Sequence, residues 1–315
     1  MKNSFDLTVI IPVYNREAYL LRTLRSVAAQ KERNFRLIIV DNNSADNSLE
    51  IAQSFKAENE SVDFAVDVIS CTTPGAAAAR NAGLELAETE WVYFFDSDDV
   101  MLSDLVKRFR AVKAGGNADI VFLKICHNNP DGSSYEIAPP TGKYLENHIL
   151  HGSMRTMGYL VKRDFVNACG GWDNSVLGWN DWELGMRLLV ATPEFAEITG
   201  APLVDYYLHT DSITGADFSS KLNTWLHSID CSEKDIRNSN VKDKEKMLLL
   251  LEYKRIMLVA QCKKEKSDKG DALYAEVMGR IPRRLRWAFR LVYSHISKGF
   301  RGGSHIANAA VKILG

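Results

Sequence analysis

The feature that most constrains this chain is Trp91-Val-Tyr-Phe-Phe-Asp96-Ser97-Asp98-Asp99. Five apolar or aromatic residues, enough for one buried strand, run straight into three carboxylates within four positions. A strand that ends in a core cannot carry this charge inside. The acids therefore belong at its carboxyl end, where open α/β sheets form their ligand crevice. Crowded carboxylates raise one another's pKa and destabilise a fold unless hydrogen bonds or a cation compensate. A hard divalent ion such as Mg²⁺ or Mn²⁺, shared with phosphate oxygens, supplies that compensation. The plainer reading is an acidic turn in which Asp98 or Asp99 caps the helix expected from about Ser103.

The remainder of the chain agrees with an open sheet. Leu7-Thr-Val-Ile-Ile-Pro12 and Phe35-Arg-Leu-Ile-Ile-Val40 are short apolar runs of the kind buried on both faces of a parallel sheet. Pro12 is expected to end the first, with Asn15 capping a helix over residues 16–30. Further strands are expected at 66–70, 91–95, 120–125, 159–161 and 203–208, with helices between them, which implies a mostly parallel, doubly wound sheet. The polar stretch 128–142 reads as a surface loop. Neither a Gly-x-Gly-x-x-Gly loop nor a Walker lysine loop is present, so dinucleotide and P-loop chemistry lack their fingerprints. Past residue 215 the texture turns to charged helical segments, giving expected domains at 1–215 and 216–315.

The net charge of −1 conceals an asymmetry: from Lys234 onward there are 19 Lys/Arg against 8 Asp/Glu. Such a tail suggests an anionic partner surface, membrane or nucleic acid. Five cysteines without CxxC spacing read as reduced thiols rather than a disulfide frame or zinc site. No apolar run reaches membrane-spanning length. The N-terminus enters a strand at once, so the expected location is the cytoplasm, without a signal peptide.

Five passages, in order, resemble glycosyltransferase family 2, the inverting nucleotide-sugar-dependent enzymes of GT-A type. They are Val9-Ile-Ile-Pro-Val-Tyr-Asn15, Val40-Asp41-Asn42-Asn43-Ser44, Arg80-Asn81-Ala82-Gly83, Asp96-Ser97-Asp98-Asp99, and Gly170-Gly171-Trp172-Asp173 followed by Asn180-Asp181-Trp182-Glu183-Leu184. Asn42 and Asn43 depart from the family's usual Asp-Asp-Gly-Ser form, and Asn180 stands where a Glu is usual. The resemblance covers about residues 7 to 215 and implies an α/β fold of GT-A type, Rossmann-like and mostly parallel, with a C-terminal helical extension.

Several residues acquire expected roles from it. Asp41 would accept the N3–H of a uracil; the rival reading is an Asx turn opening the next helix, which Asn42, Asn43 and Ser44 could make as well. Pro12, Tyr14 and Asn15 would shape the nucleotide pocket. Arg80, Asn81 and Ser97 would contact the donor, and Asp96 would hold its ribose hydroxyls or the bound water of the metal. Asp98 would coordinate Mn²⁺ or Mg²⁺ with His209 as a further ligand, stabilising charge on the departing diphosphate. Asp181 would be the general base that deprotonates the acceptor hydroxyl, or simply the N-cap of the helix 182–190.

The reading is a metal-dependent inverting transferase that moves a sugar from a nucleotide sugar, UDP-linked, to a glycan or lipid-linked acceptor in cell-surface polysaccharide synthesis. Rival readings are a nucleotidyltransferase and a non-catalytic nucleotide-sugar or glycan-binding module of the same fold. Residues 280–301 carry seven basic residues and no acid. Wound as one helix, Leu285, Phe289, Val292, Tyr293, Ile296 and Phe300 share a face suited to an anionic membrane surface. The alternative docks that face on protein, and nucleic acid is not expected for want of a binding motif.

Overall fold

The computed structural model describes residues 5–209, 218–300 and 302–312. By packing, the chain divides into two units: Met1–Pro139, Met154–Ser175 and Pro193–Asp211 form the first, and Pro140–Ser153, Val176–Thr192 and Ser212–Gly315 the second. The expected boundary at 215/216 lies outside the described residues.

The first unit holds the strands β1 (Leu7–Val13), β2 (Phe35–Asp41), β3 (Phe64–Ser70), β4 (Trp91–Phe94), β5 (Val100–Met101), β6 (Ile120–Leu123), β7 (Ile125–Asn128), β8 (Ser134–Ile137), β9 (Tyr159–Lys162), β10 (Phe195–Ile198) and β11 (Val204–Tyr207). Seven of them form one sheet in the order β10-β6-β9-β4-β1-β2-β3. Its pairings are parallel except at β9, which runs against both β4 and β6. The mostly parallel α/β expectation therefore holds.

Pro12 does not end β1. The strand runs on to Val13, pairing Pro12 with Val40 and Val13 with Asp41. On the other side β4 pairs with β1 only as far as Ile10. The missing Pro12 N–H thus has no ladder bond to lose. The expected helix start at residue 16 is also late in the structure, where the helix is Leu20–Ala28.

A second sheet, β5-β11-β7-β8, accounts for the other four strands. The single strand expected over 120–125 is two, because the chain changes sheets at Lys124 between β6 and β7. The expected loop 128–142 contains β8, a hairpin partner that sets Cys126 opposite Glu136. Apolar side chains of β1, β2 and β4 are buried throughout, as their continuous hydrophobic runs require. The helix Ala76–Leu86 lies so close on this sheet that a Cβ at Gly83 would stand 2.4 Å from Ile10 Cγ2.

The second unit is helical: Tyr144–His151, Asn180–Val190, Leu222–Asn238, Lys244–Lys264, Asp271–Arg280, Arg286–Ser297 and Gly303–Lys312. Lys244–Lys264 is its central helix, buried around its whole circumference from Leu249 to Ile256. Such a helix cannot be amphipathic, because every face meets protein.

The tail is not one helix. Asp271–Arg280 stops before Pro282, a 3₁₀ turn follows at Arg283–Leu285, and Arg286–Ser297 starts anew. Leu285, Phe289, Val292 and Ile296 are buried in the unit's own apolar cluster. The face expected to sink into a membrane is thus occupied by protein, a correction to the sequence reading. What remains outward is Trp287, Leu291 and Phe300, with Arg283, Arg284 and Arg290 exposed beside them. Arg301 lies outside the described residues. No helix among the described residues is long and apolar enough to cross a membrane.

Candidate functional site

Strand order places β4, β1 and β2 side by side, so the loops at their carboxyl ends converge. Asp41 closes β2, buried beside Val13. Its Oδ2 accepts the Ser44 N–H at 3.4 Å, a long bond for an Asx turn. Its Oδ1 is buried with no partner. A buried carboxylate oxygen left unpaired is costly, and a ligand N–H would satisfy it.

The neighbouring asparagines have structural work. Asn42 Nδ2 donates to the carbonyls of Cys71 and Thr73 at 2.9 and 2.7 Å, and its Oδ1 accepts the Gly75 N–H at 2.8 Å. An aspartate, with no N–H to give, could not hold both carbonyls. Asn15 is not a helix cap. It sits in the left-handed region at φ 50°. Its N–H donates to Ser44 Oγ at 3.1 Å and its Oδ1 accepts the Ala45 N–H at 2.8 Å, tying the β1 loop to the β2 loop. Tyr14, next to it, is 58% exposed and available to a ligand face. Pro12 lies within β1, one pair before Asp41.

The acidic loop after β4 divides its carboxylates by function. Asp99 is fully buried, and its Oδ1 accepts the Tyr207 N–H at 3.0 Å while Oδ2 has no partner. Thr23 Oγ1 donates to the Asp99 carbonyl at 2.7 Å. Burial first, then the charges of Asp96 and Asp98, push its carboxyl well above the usual range. Asp98 is partly open, with Arg16 Nε at 3.5 Å and His209 Nε2 at 4.0 Å from its Oδ2. Burial and the nearby Asp96 charge raise its pKa, against the pull of Arg16 and His209. Neither Asp98 nor Asp99 caps the next helix, whose cap position is Asp104, its carboxylate turned to Lys31 at 2.9 Å instead of to the helix amides. Ser97 is buried between them.

Asp96 pairs with Arg80, whose Nη2 is 2.7 Å from Oδ1. The Arg80 guanidinium lies 4.3 Å over the Trp172 ring, with Nε and Nη1 buried and unpartnered. Two unpartnered nitrogens of a planar guanidinium suit a diphosphate oxygen. Asn81 is committed elsewhere: its Nδ2 donates to the Trp172 carbonyl at 2.7 Å and its Oδ1 accepts the Trp172 N–H at 2.9 Å. It fixes the turn that carries the ring under Arg80.

Whether a divalent ion fits is decided by Asp98 and His209. The His209 Nε2 is buried and without a hydrogen-bond partner, its ring held 4.3 Å from Tyr19. Two donors on an octahedral ion are separated by about 3 to 4.2 Å. The 4.0 Å between Asp98 Oδ2 and His209 Nε2 falls within this span. Among the described residues no group of three His, Cys, Asp or Glu side chains converges to hold an ion. The pair fits a metal that takes its remaining ligands from phosphate and water.

Arg16, Arg22 and Tyr19 escaped the sequence reading. Arg22 Nη2 donates to the Asp98 carbonyl and its guanidinium lies 4.2 Å over the Tyr207 ring. Their only signal is spacing: 16, 19 and 22 recur at about one turn just after the Asn15 motif.

Asp181 belongs to the second unit, in the first turn of Asn180–Val190. It is not the cap. Trp179 takes that position with φ 51°, and the Asp181 carboxylate accepts the Trp182 N–H at 2.8 Å. The amino end of the helix favours its negative charge. Trp179 and Trp182 pack edge to face, with centroids 6.0 Å apart. Glu183 is buried and closed off by Arg187 at 2.6 Å.

A parallel open sheet with an acidic loop at the end of its central strand is the architecture of GT-A transferases, and comparison with known proteins agrees. The profile of "Glycosyl transferase family 2" matches residues 8–177. The chain belongs to that family, and glycosyltransferase is the enzyme class that membership assigns. A Haemophilus influenzae protein named an uncharacterized glycosyltransferase is 36% identical over 102 residues, 32% of this chain and 40% of its own length. The amylovoran biosynthesis glycosyltransferase AmsB of Erwinia amylovora is 28% identical over 215 residues, 65% of this chain and 70% of its own. The chain spans about two fifths of the length of the first of these relatives. Among solved structures, Staphylococcus aureus TarS 1-349 in complex with UDP superposes with a TM-score of 0.64 at 16% identity, covering 98% of this chain and 91% of that one. The mannosyltransferase PcManGT of Pyrobaculum calidifontis, in complex with GDP-Man and Mn²⁺, gives 0.59 at 17% identity over 98% and 87%.

Proposed function

We propose that this protein transfers a sugar with inversion from a UDP-linked donor to a hydroxyl of a glycan or lipid-linked acceptor, in cell-surface polysaccharide synthesis. One observation carries the reading: at the carboxyl ends of β4 and β2, either side of β1, stand the Asp98–His209 pair and a buried Asp41 oxygen that has no partner. Asp41 accepts from the base, Tyr14 covers it, and Pro12 and Asn15 set the loop that carries Tyr14. Asp96 and Ser97 meet the ribose, while Arg80, seated on Trp172 and held by the Asn81-fixed turn, reaches the diphosphate. Asp98 and His209 would hold Mn²⁺ or Mg²⁺, which when bound neutralises the diphosphate and the charge on the leaving nucleotide. Asp181 takes the proton of the acceptor hydroxyl as its oxygen bonds to the anomeric carbon. The bond to the diphosphate breaks in the same displacement and the electron pair leaves with UDP.

The relatives support a polymeric product: AmsB is named for amylovoran biosynthesis, and the S. aureus relative TarS is named a poly(ribitol-phosphate) beta-N-acetylglucosaminyltransferase. The PcManGT complex makes GDP the competitor to test. Nucleotide release from a panel of UDP- and GDP-sugars, with Mn²⁺ and with chelator, decides the matter. UDP release that requires both metal and acceptor is expected. Equal release with chelator, or none from any UDP-sugar, would sink the reading. A peripheral contact with an anionic cytoplasmic membrane rests on Trp287 and Leu291 among their arginines. Sedimentation with anionic liposomes that survives Trp287→Ala with Leu291→Ala would argue against it.

A further inference from the structure

Lys254 sits in Leu251-Glu-Tyr-Lys-Arg-Ile256, the central turn of the helix Lys244–Lys264, and is only 7% exposed. Its ammonium lies 5.3 Å from the Trp179 ring centroid and 5.4 Å from that of Trp182. Two indole faces on a desolvated cation are a favourable but incomplete compensation for lost water. Trp179 holds its side of this cage from the left-handed region, at φ 51°, a costly place for a bulky residue. Trp182 is fixed from behind: its Nε1 donates to the His148 carbonyl at 3.0 Å, and the His148 Nε2 meets the Trp182 carbonyl at 2.8 Å. The residues held by this frame are the two between the tryptophans, Asn180 and Asp181.

We propose that Lys254 is the positioning residue for Asp181: the caged ammonium keeps that carboxylate ionised and fixed for proton abstraction. The proposal rests on the reading of Asp181 as the base. Burial lowers Lys254 and the Asp181 charge opposes it, leaving the ammonium at about 8. Six other acids around the helix are engaged by other cations, and Glu265 accepts the Phe218 and Ser219 N–H groups. Glu146 pairs with Lys246, Glu183 with Arg187, and Asp230, Glu233 and Glu252 with Arg255. Glu276 pairs with Arg280. Of the histidines facing the helix, burial drives His148 down to about 3 and lowers His151, so neither competes as a cation at neutral pH. His305 stands 6.4 Å beyond His151, ring to ring, and His295 packs on Phe300.

Two measurements on the full chain test this. In Lys254→Met the acid limb of the kcat/KM–pH profile should rise by about one unit, the effect of losing a nearby opposite charge. UDP affinity should stay at the wild-type value. A merely structural lysine would lower the rate at every pH and leave the limb in place, which overturns the proposal. The second measurement covers failure of that variant to fold. Asp181→Asn removes the counter-charge, so its melting temperature should fall below wild type near pH 7 and recover above about pH 9, where Lys254 is neutral in both. Equal melting at every pH overturns the pairing. Normal turnover by Asp181→Asn overturns the base reading, and with it the catalytic role of Lys254, even where the melting data support the pairing.

Discussion

Two carboxylate neighbourhoods in this molecule are built on opposite principles. After β4, Asp96, Asp98 and Asp99 crowd within one loop, and burial together with mutual repulsion raises Asp98 and Asp99 above the usual range. In the helical unit, Asp181 stands at a helix amino end and is coupled to a buried ammonium. The first group stays short of positive charge even with Arg80 on Asp96 and Arg16 near Asp98, whereas the second faces its own ammonium. The first is suited to acquiring a cation together with an anionic ligand. The second is suited to remaining a carboxylate whatever binds. On the proposed reading, charge supply separates the metal-binding aspartate from the proton-accepting one.

The largest expected effect breaks the second half of this contrast. Replacing Asp181 by Asn should lower turnover by at least about 10²-fold, the low end for losing a general base. Calorimetry should give an unchanged affinity for UDP. Turnover near wild type would make Asp181 only a helix-end charge.

The first half is broken at Asp98. In the wild type Mn²⁺ should tighten UDP binding, and in Asp98→Asn that gain should fall by about tenfold or more, the scale of losing one metal-ligand contact. Titration of both proteins with UDP, with and without Mn²⁺, reads it directly. An undiminished metal effect would place the ion elsewhere.

Between these lies a test of the scaffold that carries the donor loops. Gly83→Ala puts a methyl group 2.4 Å from Ile10 Cγ2 under the helix that supplies Arg80. Overpacking of that degree costs about 1–3 kcal/mol. Thermal unfolding should register it as a fall of several degrees. Unchanged melting would mean the helix shifts freely on β1.

How much of this was legible in the sequence follows from length and locality. β1, β2 and β4 are continuous apolar runs, and each ends in a motif, so the fold class and the loops of the candidate site were visible in the sequence. The strands that escaped, β5, β8 and β10, have two to four residues and no sustained alternation. A pattern that short carries no period. Asn42 was visible only as a departure from the family form; its two carbonyl partners after β3 explain it. The tail misled because a helical wheel shows that a face is apolar and not what covers it: Phe289, Val292 and Ile296 do share a face, and protein covers it. Lys254 did leave a signal, as one of three charges (Glu252, Lys254 and Arg255) inside the apolar stretch from Leu248 to Ala260, a local inconsistency of the kind that marks function. Its partner is more than 70 positions away in sequence, beyond any local pattern.

The smallest expected effect sharpens the contrast without ligand or turnover. A carboxyl whose folded pKa is raised binds its proton more tightly folded than unfolded. Its contribution to stability is therefore fully present below the unfolded value of about 3.8 and is lost as pH rises through the folded value. Asp98 is of this kind, with its side chain 21% exposed. Asn at 98 has no such loss. The melting temperature of Asp98→Asn, measured without metal, should rise relative to wild type as pH goes from about 4 to 8. Each unit of raised pKa corresponds to about 1.4 kcal/mol, a few degrees in a chain of this size. Saturating Mn²⁺ and UDP should reverse the order at neutral pH, because the wild type then gains the binding energy that the variant has lost. A difference that is flat with pH would mean that the loop after β4 is not short of positive charge, and the contrast with Asp181 would fail.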